Sequence, residues 1–275
     1  MIKRTRTISL FIITISLLFI VIQSEKMIAQ NTKGSKSLAM GQTGVSLPFD
    51  EWAVFNNPAL IQVERTVASF YGFRYVGISE ITDMAATGSF QTSAGTFGIG
   101  LHRYGFNLFS ENQFRLVYKN RLDHLHFGTS VGYYHILQGE EYGSAGALGI
   151  DLGLAAKITP SLWIGLRATN INQPAYGDSD EDLSREVAAG FSFNPSEISQ
   201  VTAEIVKDVD FPASFRTGIE FELYSNFSAR AGITTKPSTY SFGFGYSGKA
   251  WSANFALQQH NPLGLSPALD ISMEI

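Results

Sequence analysis

Leu148-Gly149-Ile150-Asp151-Leu152-Gly153-Leu154-Ala155 sets four aliphatic residues on one side of an extended chain and two glycines, an aspartate and an alanine on the other. Successive side chains of a strand point to opposite faces, so the octet makes one wholly aliphatic face and one small, polar face. The next stretch repeats this, with Leu162, Ile164 and Leu166 against Gly165 and Arg167. Farther along, Phe215, Ile219 and Phe221 oppose Arg216, Glu220 and Glu222, and Tyr240, Phe242, Phe244 and Tyr246 share a face. Trp251, Ala253, Phe255 and Leu257 form another such face. Alternation alone fits a soluble sheet as well as a lipid-facing one. Charge separates the two: only 16% of the residues are charged, against roughly 25% in soluble domains. The aliphatic face therefore belongs against lipid.

Fourteen stretches of this kind run at 65–77, 81–91, 94–107, 110–120, 123–137, 144–158, 161–172, 184–194, 198–208, 212–223, 226–236, 239–248, 251–260 and 266–275. The number is even, as in bacterial single-chain barrels, and each stretch is long enough to cross the hydrocarbon as a tilted strand. Connections after even stretches are short, as at Thr92-Ser93, Thr159-Pro160 and Gly248-Lys249, whereas those after odd stretches include Leu137–Gly143, Gln173–Leu183 and Asn261–Leu265. A membrane barrel sorts its connections this way, with short periplasmic turns and longer outer loops. The predicted fold is all-β, a transmembrane antiparallel β-barrel of 14 strands over residues 65–275, preceded by a plug or periplasmic segment over 30–64.

Residues 1–29 read as a secretory signal peptide: Lys3, Arg4 and Arg6 lead an apolar run from Ile8 to Ile22, and a small residue stands at Ala29. Without them the chain has 16 basic and 23 acidic residues, a net charge of −7, which excludes nucleic acid as a partner. There is no cysteine, and a closed barrel needs no disulfide because every strand has two paired neighbours. These features place the protein in an outer membrane, with its lipid as the surrounding partner. Residues 30–64 lack alternation and are interrupted by Gly34, Gly41, Gly44, Pro48 and Pro58. They form either a plug or cap, or a disordered lead-in. Within them Asn56-Asn57-Pro58 is a rigid elbow into the first strand, since proline holds Asn57 extended and asparagine bonds nearby backbone.

The segment from Ser37 to Leu47 (SLAMGQTGVSL), followed by Asp50 to Leu60 (DEWAVFNNPAL), resembles the N-terminal signature of the FadL long-chain fatty-acid transporter superfamily, nearest to its PorV/PorQ branch. In that signature a glycine-rich stretch and an acidic pair precede Asn-Pro-Ala; Asp50 and Glu51 match the pair, and Asn57-Pro58-Ala59 the second motif. The resemblance implies a non-enzymatic barrel of PorV/PorQ type assisting type IX secretion or surface assembly, with secretion-system or secreted proteins as partners. The alternatives are a FadL-like transporter or channel for hydrophobic small molecules, and a simple porin. Short outer loops, the longest about eleven residues at Gln173–Leu183, favour the assembly reading. The terminal Met273-Glu274-Ile275 departs from the common aromatic barrel terminus.

Alternation turns a set of charges inward: Arg74, Arg115, Asp151, Arg167, Glu204, Arg216, Glu220 and Arg230 are the expected lumen-lining residues, with Asp83, Lys119, Glu222 and Asp270 on the same face. Buried charges need partners, so these residues are expected to pair across the wall or line water. If residues 30–64 enter the lumen, Asp50 and Glu51 are expected to meet inward arginines, because a guanidinium pairs bidentately with a carboxylate. The sequence offers no catalytic constellation and no cofactor motif. His124-x-His126 lacks a third ligand at recognisable spacing, so no metal site is expected either.

Overall fold

The computed structural model describes residues 32–61, 65–76, 80–106, 108–139, 143–177, 182–260 and 264–275. The proposed signal peptide at 1–29 lies outside them. Fourteen antiparallel strands follow one another around a closed barrel. They are β1 (Val67–Arg74), β2 (Thr82–Thr92), β3 (Gly95–Phe106), β4 (Phe109–Leu122), β5 (Leu125–Gln138), β6 (Ser144–Thr159) and β7 (Leu162–Ala168). They continue as β8 (Glu186–Ser196), β9 (Ser199–Asp208), β10 (Ser214–Tyr224), β11 (Phe227–Thr235), β12 (Ser238–Ser247), β13 (Trp251–His260) and β14 (Gly264–Glu274). β1 closes on β14 from Val67 opposite Glu274 to Phe73 opposite Ala268, so the sheet has no free edge. No helix among the described residues is long and apolar enough to span a bilayer; the strands do so.

Strand number agrees with the sequence reading, and so does facing in the strands whose faces were assigned, except at Arg74 of β1. Leu148, Leu152, Leu154, Leu166, Phe215 and Phe244 are exposed on the outer wall while Asp151, Arg167, Arg216 and Arg230 are buried within. So much aliphatic surface is unfavourable in water and favourable in hydrocarbon, which makes this an outer-membrane barrel. Aromatic clusters mark the rim at the even-numbered turns: Phe90, Phe97 and Tyr118 form one, Phe227, Tyr246 and Trp251 another. Both ends of the barrel meet at that rim, where the Ile275 N–H donates to Thr66 O. It is the periplasmic side.

The largest departure in strand bounds is at β7. β7 ends at Ala168, four residues early, because Asn170 turns the chain with φ of 52°. Its N–H is captured by Asp151 at 2.9 Å and its side chain by Ser184 O at 2.7 Å. The outer connection 169–185 is therefore longer than the sequence suggested. Its described residues fold back over the lumen, with Tyr176 and Leu183 buried against Tyr134, Ile136 and Ala147. The parity rule also has exceptions, since β3–β4 and β11–β12 are joined by two residues each on the outer side.

Fourteen strands enclose more space than wall side chains fill. Residues 32–61 occupy it, folded into helix α1 (Ser35–Ala39), helix α2 (Ala53–Asn56) and a 3-10 turn at Pro58–Leu60. Leu38, Trp52, Val54, Phe55, Leu60 and Ile61 pack with Tyr71, Phe73, Val117 and Trp163 of the wall in one apolar core. α1 lies against β11–β14 and the 3-10 turn against β4–β6. Both elements are too short to persist alone, so their order derives from this packing.

Candidate functional site

The wall holds the inner segment largely by its main chain. Glu204 accepts from the Gly44 and Val45 N–H groups at 2.9 and 3.0 Å, and Asp270 from the Ser35 N–H. Arg167 donates to Asn56 O at 2.8 Å, Arg216 to Gln42 O at 3.0 Å and Lys119 to Ile61 O at 2.8 Å. Two salt bridges add to these: Lys33 to Asp83 at 2.8 Å and Lys36 to Glu220 at 3.1 Å. Donors and acceptors that short helices leave unsatisfied thus find wall partners.

Close approach is possible because the facing wall positions lack side chains. A Cβ at Gly165 would sit 2.0 Å from Val45 O, and one at Gly232 would sit 2.0 Å from Gly41 N. No rotamer relieves a clash with backbone.

Asn56 and Asn57 organise the segment from inside. Asn56 accepts from Lys33 N–H and donates to Lys33 O, both at 2.9 Å, and also donates to Asp50 at 3.0 Å. Asn57 is extended before Pro58, with φ of −161°; its side chain donates to Val45 O at 2.6 Å and accepts from Ala59 N–H at 3.0 Å. The two asparagines tie the start of the segment to its end.

The inward arginines form discrete pairs. Arg115 meets Asp151 at 2.7 Å and Arg216 meets Glu204 at 3.4 Å; Arg230 meets Glu220, and Arg167 meets Glu186. Glu186 stands outside the expected lumen set; counting back from buried Ala188 by strand alternation puts it inward. Arg230 also donates to Asn254 at 2.7 Å, which passes the contact to Asp270 at 2.7 Å. Two expectations fail. Arg74 is exposed on the outer face, because β1 turns Val67, Ser69, Tyr71 and Phe73 inward onto Trp52, and this inverts the usual polarity. Asp50 and Glu51 meet no arginine among the described residues. Asp50 instead accepts from Ser37 at 3.3 Å and Asn56 at 3.0 Å, since the arginines are already taken by wall carboxylates and main-chain carbonyls. Burial pushes the Asp50 carboxyl above its ordinary range. Burial, with adjacent Asp50, takes Glu51 up to about 7.

On the outer side of the segment lies a cavity of about 310 Å³ beneath the 169–185 connection. Phe55, Tyr75, Tyr104, Tyr134, Tyr176 and Leu183 give it an aromatic and apolar wall. The rest of the lining is polar and charged: Lys33 and His102, both on Asp83 at 2.8 and 2.9 Å, with Glu111, Arg115, Arg167 and Asp182. Phe55 stands at the floor, edge-on to His102 and under the Arg115 guanidinium. A second depression, about 600 Å³, opens on the lipid face over β1–β5. Among the described residues no cluster of three or more His, Asp or Glu is placed to hold a metal ion.

No family model and no curated protein matches this chain. Solved structures do match in fold. A deletion mutant of TodX, a monoaromatic hydrocarbon channel, superposes with a TM-score of 0.69 at 13% identity, covering 90% of this chain and 100% of that one. The Pseudomonas putida toluene transporter TodX gives 0.61 at 14% identity, covering 88% and 96%. A Pseudomonas aeruginosa FadL homologue gives 0.60 at 11% identity, covering 90% and 99%. At such identities the likeness is one of fold: a fourteen-strand barrel of the FadL/TodX kind, with nothing that singles out a PorV/PorQ branch.

Proposed function

We propose that this barrel is a transporter that passes small hydrophobic molecules, aromatic ones in particular, across the outer membrane. The observation that carries the reading is the cavity of about 310 Å³ between the inner segment and the folded-back outer connection. About 150 Å³ suffices to hold benzene, so a substituted single ring fits here by volume, against the aromatic side of a lining whose other side is charged. Tyr75, Tyr104, Tyr134 and Tyr176 offer ring faces and edges to such a guest, and their hydroxyls can bond a polar substituent. Support comes from the fold shared with a toluene transporter and a monoaromatic hydrocarbon channel.

The secretion-assembly reading rested on the 37–60 motif and on short outer loops. The second support weakens, because the 169–185 connection is long enough to cover the lumen. A simple porin fits poorly with a lumen filled by apolar Trp52, Val54, Phe55 and Leu60.

The test is uptake by proteoliposomes of labelled toluene and labelled arabinose, with native-membrane pulldown in parallel. Saturable toluene uptake without sugar uptake supports the reading. Rapid sugar uptake makes the protein a porin, and stoichiometric secretion partners without toluene uptake restore the assembly role.

A further inference from the structure

The lipid-facing depression over β1–β5 has a built polarity. Phe70, Met84, Leu101, Phe114 and Tyr133 form its flanks around the small Ala86. These side chains share the outer face, where Phe70, Met84, Leu101, Phe114 and Tyr133 are all exposed. One row farther toward the outer rim the lining turns polar. Arg103 is opposite Asn112 in the β3–β4 register and Asn112 opposite His135 in β4–β5, so the three stand side by side across adjacent strands. All three line the depression.

Arg103 makes no ion pair among the described residues, although a cation turned toward hydrocarbon is costly. Its strand ends at Phe106, three residues on. At about 3.4 Å per residue and a tilt of about 40°, this puts Arg103 roughly 8 Å inside the outer rim, within reach of lipid headgroups. Exposed Arg74, on the same face of β1, lies one row nearer that rim.

We propose that this depression is a binding site for a phosphorylated acyl lipid of the outer leaflet, the chemistry of lipid A. The acyl chain lies between Phe70, Leu101 and Phe114 over Ala86, and the phosphate meets the Arg103 guanidinium, with Asn112 and His135 as further hydrogen-bond donors. Charge complementarity selects this occupant. A guanidinium fork matches phosphate oxygens bidentately, whereas a zwitterionic phospholipid brings a competing ammonium to the same place. The site opens on the outer face of the wall whose inner side, at His102 and Gln113, borders the lumen cavity, and it stands whether or not the barrel transports a solute.

The experiment uses the full-length barrel in detergent, equilibrated with bisphosphorylated lipid A, its dephosphorylated form, or phosphatidylethanolamine, and read by native mass spectrometry. Wild-type protein is expected to retain one lipid A with roughly tenfold preference over the dephosphorylated form. Arg103→Gln is expected to lose that preference while keeping weak acyl retention. Ala86→Trp, which fills the depression, is expected to lose both lipids, and Arg121→Gln at the periplasmic rim to match wild type. Heat-modifiable migration checks folding, and R103Q, a change at a side chain facing out of the wall, keeps the test decisive if A86W does not assemble. Equal retention of all three lipids by wild type, or an unchanged preference in R103Q, overturns the proposal.

Discussion

Glu204 of β9 accepts a hydrogen bond from the backbone N–H of Val45 at 3.0 Å, through the same oxygen that takes the Gly44 N–H at 2.9 Å. Its other oxygen faces Arg216 at 3.4 Å, so one wall carboxylate joins the inner segment to the charge ladder. Glu204→Ala removes the acceptor of two buried N–H groups and the partner of a buried guanidinium. Losses of this kind cost about 3–5 kcal/mol. Hydrogen exchange is expected to speed up across residues 35–60 while the strands stay protected; unchanged exchange there refutes the anchoring role.

Gly232→Val tests the steric side of the same docking. A Cβ there sits 2.0 Å from Gly41 N and 2.3 Å from Met40 C, so the segment must leave its seat. Planar-bilayer conductance is expected to rise severalfold above wild type. Gly88→Ala, whose added Cβ would approach nothing nearer than 3.7 Å, should conduct like wild type. Small, equal conductance in all three proteins means that wall side chains alone close the lumen.

Glu51 supplies a pH dependence with a definite sign. Burial and the Asp50 charge raise its carboxyl from 4.5 to about 7 in the folded state. Between those values the docked segment binds more protons than the released one, so docking weakens as pH rises through the window and levels off above it. The protection factors of residues 35–60, which take out the base-catalysed rise of intrinsic exchange, should therefore be higher at pH 5.5 than at pH 8. Glu51→Gln should flatten this difference; a variant as pH-sensitive as wild type assigns the effect to another group.

The outer cover depends on two side chains. Tyr176 and Leu183 are 7% and 8% exposed, packed on Tyr134, Ile136 and Ala147. Leu183→Ala is expected to loosen the 169–185 connection by about 2–3 kcal/mol. Accelerated proteolysis within that connection and faster entry of an aromatic probe are the readouts. If entry is unchanged while proteolysis accelerates, the connection is not the gate to the cavity.

The barrel was legible because period-two alternation survives in nearly every strand, and Leu148 to Ala155 shows why: a lipid face tolerates only apolar residues, so the pattern stays clean. Arg115–Asp151, Arg216–Glu204 and Arg230–Glu220 were legible as an inward set, but their pairing needs register, which one sequence does not contain. Arg74 was misread because β1 faces Trp52 and reverses the polarity of its two sides. The Asp50–Asn56 bond was hidden for a different reason: wall arginines had main-chain carbonyls to satisfy, and backbone groups leave no mark in sequence.

That last circumstance sets what can vary. Contacts to N–H and C=O groups ignore the identity of the residue that bears them, so the grip on Gln42, Gly44, Val45 and Asn56 is blind to most side-chain replacements in the segment. A new residue facing the cavity can alter which guest is accepted while the clamp stays closed. Selectivity and anchorage are thereby written in different atoms of the same stretch of chain, and one can drift without the other.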